Sequence, residues 1–405
     1  MTITDAATTV ANAVEAGIAS HLHPAGSFDL ADHPVPNGRE EVWRFTPMKR
    51  LKGLHDSELA PEGTINQALD APEEVTLSEV GRDDPRLGSI HVPNDRVSAL
   101  AWKQFTSAQV LSVPKGAELD RPVILDIDGN GATAFTHLFL EVGALASATV
   151  VLRNTGTVVL AGNIEVSVGD GATLNLISVQ DWDDDATHLA HVHARVGRDA
   201  TYKQGVVSFG GDLVRINSEV EYAGPGGSAD MLGLYFVDAG QHLEHRLFVD
   251  HNAPHTRSNV DYRGALQGEG AHSVWIGDVL IRKVAEGIET YEQNRNLVLT
   301  DGCQADSVPN LEIETGEIEG AGHASTTGRF DDEQLFYLMS RGVPENVARR
   351  LVVRGFFADV ITRIGVPSVE AALLAAVDAE LGEIDPLYDF SDAERAGADA
   401  PGAGA

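Results

Sequence analysis

Five small-residue corners punctuate the middle of this chain, and they constrain its fold more than any other feature. They are Leu145-Ala146-Ser147-Ala148-Thr149, Gly169-Asp170-Gly171-Ala172-Thr173, Gly197-Arg198-Asp199-Ala200-Thr201, Gly224-Pro225-Gly226-Gly227-Ser228 and Gly268-Glu269-Gly270-Ala271-His272. Each precedes a short apolar run. Counted at Ala148, Ala172, Ala200, Gly227 and Ala271, the intervals are 24, 28, 27 and 44 residues. The first three fall in the range of stacked repeats, and the fourth predicts an insertion or an uneven coil. Between corners the residues alternate, as in Val192-His193-Ala194-Arg195-Val196 and Asn217-Ser218-Glu219-Val220-Glu221-Tyr222. Alternation is the period of a strand. Coils that hold strands but no helical stretch predict a mainly β chain. A β-solenoid fits best, with a β-sandwich as its rival.

The two ends read differently. A helix is predicted near Asp5 to Ser20, followed by the proline-rich connector His23 to Glu40 and the aromatic cluster Trp43 to Phe45. This N-terminal part is expected to cap the strand-rich region. The seam Ile318 to Gly342 closes the strand-like region, and a helix opens at Asp331-Asp332-Glu333, where carboxylates meet unpaired N–H groups. It should end near Arg341, with Gly342 as its stop and Pro344 opening the next helix. That second helix, Glu345 to Ile364, is expected to place Val347, Leu351, Phe356 and Val360 on or near one face. A third should run from Ser368 to Leu381. Past Asp389 the tail is too poor in apolar residues to fold and is expected to be disordered. The resulting division is 1–85 N-terminal mixed or helical, 86–325 β core, 326–389 C-terminal helical, and 390–405 disordered.

Charge and thiol content limit the function. With 61 acidic against 29 basic residues the formal charge is -32, and such a surface repels nucleic-acid phosphates and anionic lipid. No run approaches the roughly 18 apolar residues of a membrane span, and the N-terminus lacks a secretory signature. The one cysteine, Cys303, rules out intramolecular disulfides and suits a reducing cytoplasm. It also means that any metal centre that takes several thiolates would have to be held mostly by another chain. No Walker A sequence, dinucleotide fingerprint, nucleophile elbow or H-E-x-x-H motif occurs.

Histidines remain as the side chains suited to chemistry. His188, His191 and His193 lie close to Asp181, Asp183, Asp184 and Asp185, and on a strand His191 and His193 would share a face, as two ligands of one ion must. His242, His245, His251 and His255 form a second group, which corner and interstrand hydrogen bonds would explain equally well. His323 stands alone on the seam, followed by Ala324, Ser325, Thr326 and Thr327, which are small enough to let a ligand or another backbone approach. Cys303 reads as a buried small residue of a terminal coil rather than a ligand. From Arg341 to Arg363, five arginines face Glu345 and Asp359, a local balance of +3. This is either a solvated basic face or a docking surface.

Several of these stretches carry a resemblance. Gly322-His323-Ala324-Ser325-Thr326 and Leu335-Phe336-Tyr337-Leu338-Met339-Ser340-Arg341-Gly342 resemble the closing signature of the SufB/SufD family of iron–sulfur cluster assembly proteins. Asp250 to Leu266, the Gln293 to Leu297 turn, Pro309 to Ile313 and Glu40 to Thr46 are similar to the same family. The likeness is close over about residues 242 to 357. It implies a right-handed parallel β-helix core, and the low thiol count places the chain on the SufD side. The family pattern further implies a non-catalytic scaffold subunit that pairs with SufB through the β-helix end and docks the ATPase SufC on the C-terminal helices. His323 would then be a ligand for iron or a transient cluster shared with SufB, with no cofactor held tightly by this chain alone. Phe336, Tyr337, Arg341, Arg349, Arg350 and Arg354 would face SufC. Some members carry a cysteine two residues before the histidine, where this chain has Ala321. A SufB-type subunit, a homodimer formed when the partner is missing, and a carbohydrate-active β-helix enzyme acting near Trp182 are the alternatives.

Overall fold

A computed structural model describes residues 26–56, 59–330 and 332–381. The predicted helix at Asp5 to Ser20 and the tail past Asp389 lie outside the described residues.

Two short strands, β1 (Asn66–Asp70) and β2 (Thr76–Val80), precede helix α1 (Arg96–Gln104) and strand β3 (Ala108–Val113). β4 (Val123–Val142) and β5 (Ser147–Val168) are long enough to run along two sides of the molecule. From there each coil carries two strands. These are β6 (Thr173–Trp182), β7 (Thr187–Val196), β8 (Thr201–Ser208), β9 (Leu213–Tyr222), β10 (Ser228–Val237), β11 (His242–His251), β12 (Arg257–Leu266), β13 (His272–Ile281), β14 (Glu289–Val298), β15 (Gln304–Ile313) and β16 (Gly320–Arg329). Helices α2 (Asp332–Ser340), α3 (Glu345–Ile364) and α4 (Pro367–Glu380) complete the described chain.

The even strands from β6 to β16 stack in parallel on the first half of β5, and the odd strands from β7 to β15 stack in parallel on its second half. The core is therefore a parallel β-solenoid of about eight coils, as the corner spacing and the resemblance predicted. Only the first coil departs from parallel pairing among the described strands: β1 lies antiparallel on β4, and β2 antiparallel on β3. These strands cover the free edge of that coil, which would otherwise present unpaired backbone groups.

The corners have a common backbone cause. Leu145, Gly171, Asp199, Gly226, His255 and Gly287 all adopt positive φ, between 53° and 78°, and each immediately precedes an even-side strand or its corner residue. In this conformation each donates its N–H to a carbonyl of the following coil, as Gly171 does to Arg198 at 2.9 Å and His255 to Glu286 at 2.8 Å. Glycine meets no steric penalty there, which is why the corners read as glycine-rich. Ala271, however, precedes β13 on the opposite side from Gly227, which precedes β10. The 44-residue interval is thus a change of side and not an insertion. The equivalent of Gly227 is Thr256, before β12, and the first corner residue is Ala146 rather than Ala148.

Inward residues form one continuous apolar column from Val123 to Ile288. The outer faces are covered by the two ends of the chain. On the odd side, Leu30, Trp43, Leu51, Leu54 and Leu100 pack over Phe135, Ala161, Leu189 and Leu213. On the even side, α3 lays Val353, Phe357, Val360 and Ile361 on Val207, Leu232, Leu234 and Phe236. The helix boundaries match the sequence reading closely, and Gly342 ends α2 at φ +90°. The buried stripe of α3 differs from the expected one: Val347 and Val360 are buried, but Leu351 is exposed and Phe356 only half-buried. Contact with the strands selects the face through Val353 and Phe357, one residue round from the predicted stripe.

Candidate functional site: the uncovered solenoid end

The last coil differs from the rest. Among the described strands β15 pairs only with β13 and β16 only with β14, so both carry a free edge there. Their residues are mostly half-buried or exposed, where those of β10 to β13 are buried. Inside this coil the apolar column gives way to polar side chains. Thr290, Glu292, Asn294 and Asn296 of β14 alternate inward and are buried. The sequence reading placed a turn at Gln293 to Leu297, but this is the middle of a strand. The amides belong there because they satisfy one another: Asn296 Nδ2 donates to Asn294 Oδ1 at 2.8 Å, and Asn294 Nδ2 donates to the Tyr235 hydroxyl at 2.9 Å. Tyr235 in turn donates to Asn296 Oδ1 at 2.6 Å.

β16 lays one rung on this column. Ala321 stands over Thr290, His323 over Glu292, Ser325 over Asn294 and Thr327 over Asn296. His323 thus occupies an inward position of the last described strand, and its side chain is 44% exposed because no further coil covers it among the described residues. Its Nδ1 lies 3.8 Å from Glu292 Oε1. Glu292 is buried, and among the described residues neither of its oxygens has a hydrogen-bond partner. Burial, with the charge of Asp278 adding to it, pushes its carboxyl up to about 8. An orphaned buried polar group costs about 1–3 kcal/mol, so its retention calls for an explanation. Cys303 sits at the corner before β15, half-buried, with its thiol donating to the Gly268 carbonyl at 3.4 Å.

The helical region presents a second surface. Phe336 is 72% and Tyr337 57% exposed, and Met339 and Leu351 are exposed beside them. Arg341 is exposed and stacks on the Tyr337 ring at 5.2 Å. The remaining arginines are engaged within the fold. Arg349 pairs with Glu345 at 3.0 Å, and Arg354 with Asp378 at 3.5 Å. Arg350 is buried and donates to the Asp378 carbonyl at 3.1 Å. Arg363 clamps α3 to the solenoid through Asp230 at 2.8 Å and Asp261 at 2.9 Å. The +3 balance is therefore mostly taken up in holding the helices in place, and the outward surface is aromatic more than basic.

The other histidines do not gather as the sequence arranged them. His188 points into the solenoid against Gln180 and Trp182, and burial pushes it down to about 3. His191 and His193 do share an outward face, but under the N-terminal cover and away from Asp181 to Asp185. His191 Nε2 lies 3.1 Å from Asp95, and His193 joins His91 and Glu219 in a group whose ligand atoms lie within 4.8 Å. Trp182 is buried, so it offers no platform to a sugar. In the second group, His242 contacts Glu244 and His272, His245 contacts Ser208, His251 contacts Thr256 and Ser258, and His255 is a corner residue.

A family model described as SUF system FeS cluster assembly, SufBD core domain, matches residues 125–356, more than half of the chain. The chain belongs to the SufBD family. The match opens at the start of β4, far upstream of residue 242 where the motifs first became close, and it ends within α3. An iron–sulfur cluster assembly SufBD family protein of Mycobacterium tuberculosis is 52% identical over 363 residues, covering 88% of this chain and 91% of the relative. One from Mycobacterium leprae is 49% identical over 363 residues, covering 88% and 93%. The SufD protein of Escherichia coli is 23% identical over 387 residues, covering 86% and 89%. Among the described residues no helix is long and apolar enough to cross a membrane. In this SufBD chain the residue that sequence reasoning missed is Glu292. Its signal was the polar alternation Thr290-x-Glu292-x-Asn294-x-Asn296, which marks a strand with a polar inward face.

Proposed function

We propose that this chain is the SufD-type subunit of an iron–sulfur assembly scaffold, non-catalytic on its own and working in the cytoplasm. It pairs with SufB across the free edges of β15 and β16 and offers His323 as a ligand to iron or to a cluster held transiently between the two chains. SufC docks on the C-terminal helices, around Phe336, Tyr337 and Arg341, with Arg349 and Arg354 at the margin. Arg350, buried against Asp378, supports that surface from beneath.

The observation that carries this reading is an imidazole set at the uncovered end of a solenoid whose chain has a single cysteine. A neutral imidazole is a good ligand for iron, so it can take a metal at this end. The thiolates that a cluster needs must come from the partner, since Ala321 and the corner thiol of Cys303 do not supply a set. ATP drives such a scaffold only if SufC binds its two states with different affinity.

Co-expression with SufB and SufC tests the reading. The expected result is a complex of all three, in which His323→Ala leaves assembly intact but impairs cluster formation with iron and sulfide. Joint replacement of Phe336 and Tyr337 by alanine should release SufC and keep SufB. Cluster formation by this chain alone, or loss of the complex on His323→Ala, would overturn it.

A further inference from the structure

We infer that Glu292 is a second metal ligand at this end, and that with His323 it forms a carboxylate–imidazole pair for one divalent first-row cation. The inference rests on the proposed role of His323 and adds a residue to it.

The contrast with other buried carboxylates is the first support. Glu165 accepts from the backbone N–H groups of Gly88, Ile90 and His91 and contacts His137 at 2.8 Å. Glu244 accepts from Thr46 and lies among Arg215, His242 and Arg246. Glu292 is equally buried, at 1% exposure, yet among the described residues neither oxygen has a hydrogen-bond partner. Buried polar groups without partners are rare, and a role as a metal ligand is one accepted cause.

Spacing is the second. At 3.8 Å, His323 Nδ1 and Glu292 Oε1 are too far apart for a hydrogen bond. Two ligands of one cation, each about 2.0–2.2 Å from it, span up to roughly 4.2 Å. Imidazole and carboxylate are both ligands of iron, and the pair sits on adjacent rungs of one inward column.

Room is the third. Across the coil stands Gly277, where a Cβ would lie 2.4 Å from Glu292 Oε2 and 2.5 Å from the Trp275 ring. The missing side chain leaves the carboxylate its place, and the indole walls it from the apolar column. Exposure of His323 leaves the remaining coordination positions open toward a partner.

Cobalt(II) titration of the full chain, followed by d–d absorption and calorimetry, is the test. We expect one equivalent to bind, and Glu292→Gln and His323→Ala each to weaken binding at least about tenfold. If His323→Ala weakens binding and Glu292→Gln does not, Glu292 is no ligand while the reading of His323 stands. If the unaltered chain takes up no cobalt, or neither substitution matters, the pair is not a cation site. The role of His323 in the complex with SufB is then decided by the cluster assay alone. Should Glu292→Gln not fold, Glu292→Asp replaces it. A ligand drawn back by one methylene loses cobalt affinity, whereas a merely structural carboxyl changes the melting temperature and leaves that affinity unchanged.

Discussion

The first coils and the last coil of this solenoid are built from the same repeat for opposite ends. Around β5 to β9 the inward positions are Val150, Leu152, Leu174, Leu176, Ala190 and Val192, and both outer faces are covered by other parts of the chain. Around β14 to β16 they include Thr290, Glu292, Asn294, Asn296 and His323 beside the small or apolar Ala305, Leu311 and Ala321, with free edges on both sides among the described strands. Apolar burial stabilises at about 25 cal/mol per Å², so the early coils supply the stability that lets the last coil hold polar groups and an orphaned carboxyl. A stack whose units interact mainly with their neighbours tolerates this, because a weak terminal coil does not unfold a strong one.

Acid should expose the contrast most. His245 and His188 are pushed down to about 3 by burial and His251 to about 4, so all three stay neutral in the folded chain well below the ordinary histidine value of 6.5. The unfolded chain takes up their protons first. Their contribution to stability is therefore complete above pH 6.5 and is lost as pH falls toward 4, at up to about 1.4 kcal/mol per unit for each group. Denaturant unfolding between pH 7 and 4 measures this, and a flat profile would contradict it.

Truncation comes next. Leu174→Ala, in the closed part, should cost about 2–5 kcal/mol in denaturant unfolding. Gly277→Ala, nearer the open end, should cost less, about 1–3 kcal/mol, because the new Cβ meets the Trp275 ring and Glu292. Equal losses at the two sites would erase the distinction between them. Smallest of all should be the effect of His323→Ala on unfolding, within about 0.5 kcal/mol, since its side chain is nearly half exposed. A larger loss would make His323 a structural residue of the coil end.

Much of this was legible in the sequence, for local reasons. Positive φ at each corner selects glycine or a residue beside one, so the corners at Gly171, Asp199 and Gly226 could be read, whereas the one filled by His255 was passed over for Gly268 to His272 on the opposite side. Gly342 and Pro344 marked the break between α2 and α3 because one ends a helix and the other opens one. The seam histidine stood out by its surroundings. Other features were misread where a local rule met a distant neighbour. Gln293 to Leu297 looks like a turn by composition, yet its asparagines hydrogen-bond to each other and to Tyr235, about sixty positions earlier. Leu351 fits a helical stripe, yet the sheet beneath α3 accepts Phe357 instead.

The amino-acid order alone determined the repeat, the strand alternation inside each coil and the helix limits, since backbone conformation and side-chain period act over a few residues. Which side chains meet was decided only by folding. Coil length grows from 26 residues between the starts of β5 and β6 to 32 between those of β12 and β14, so no constant period places Glu292 under His323. That pairing is set by hydrogen-bond register between successive rungs, and the exposure of His323 by its place on the last described strand.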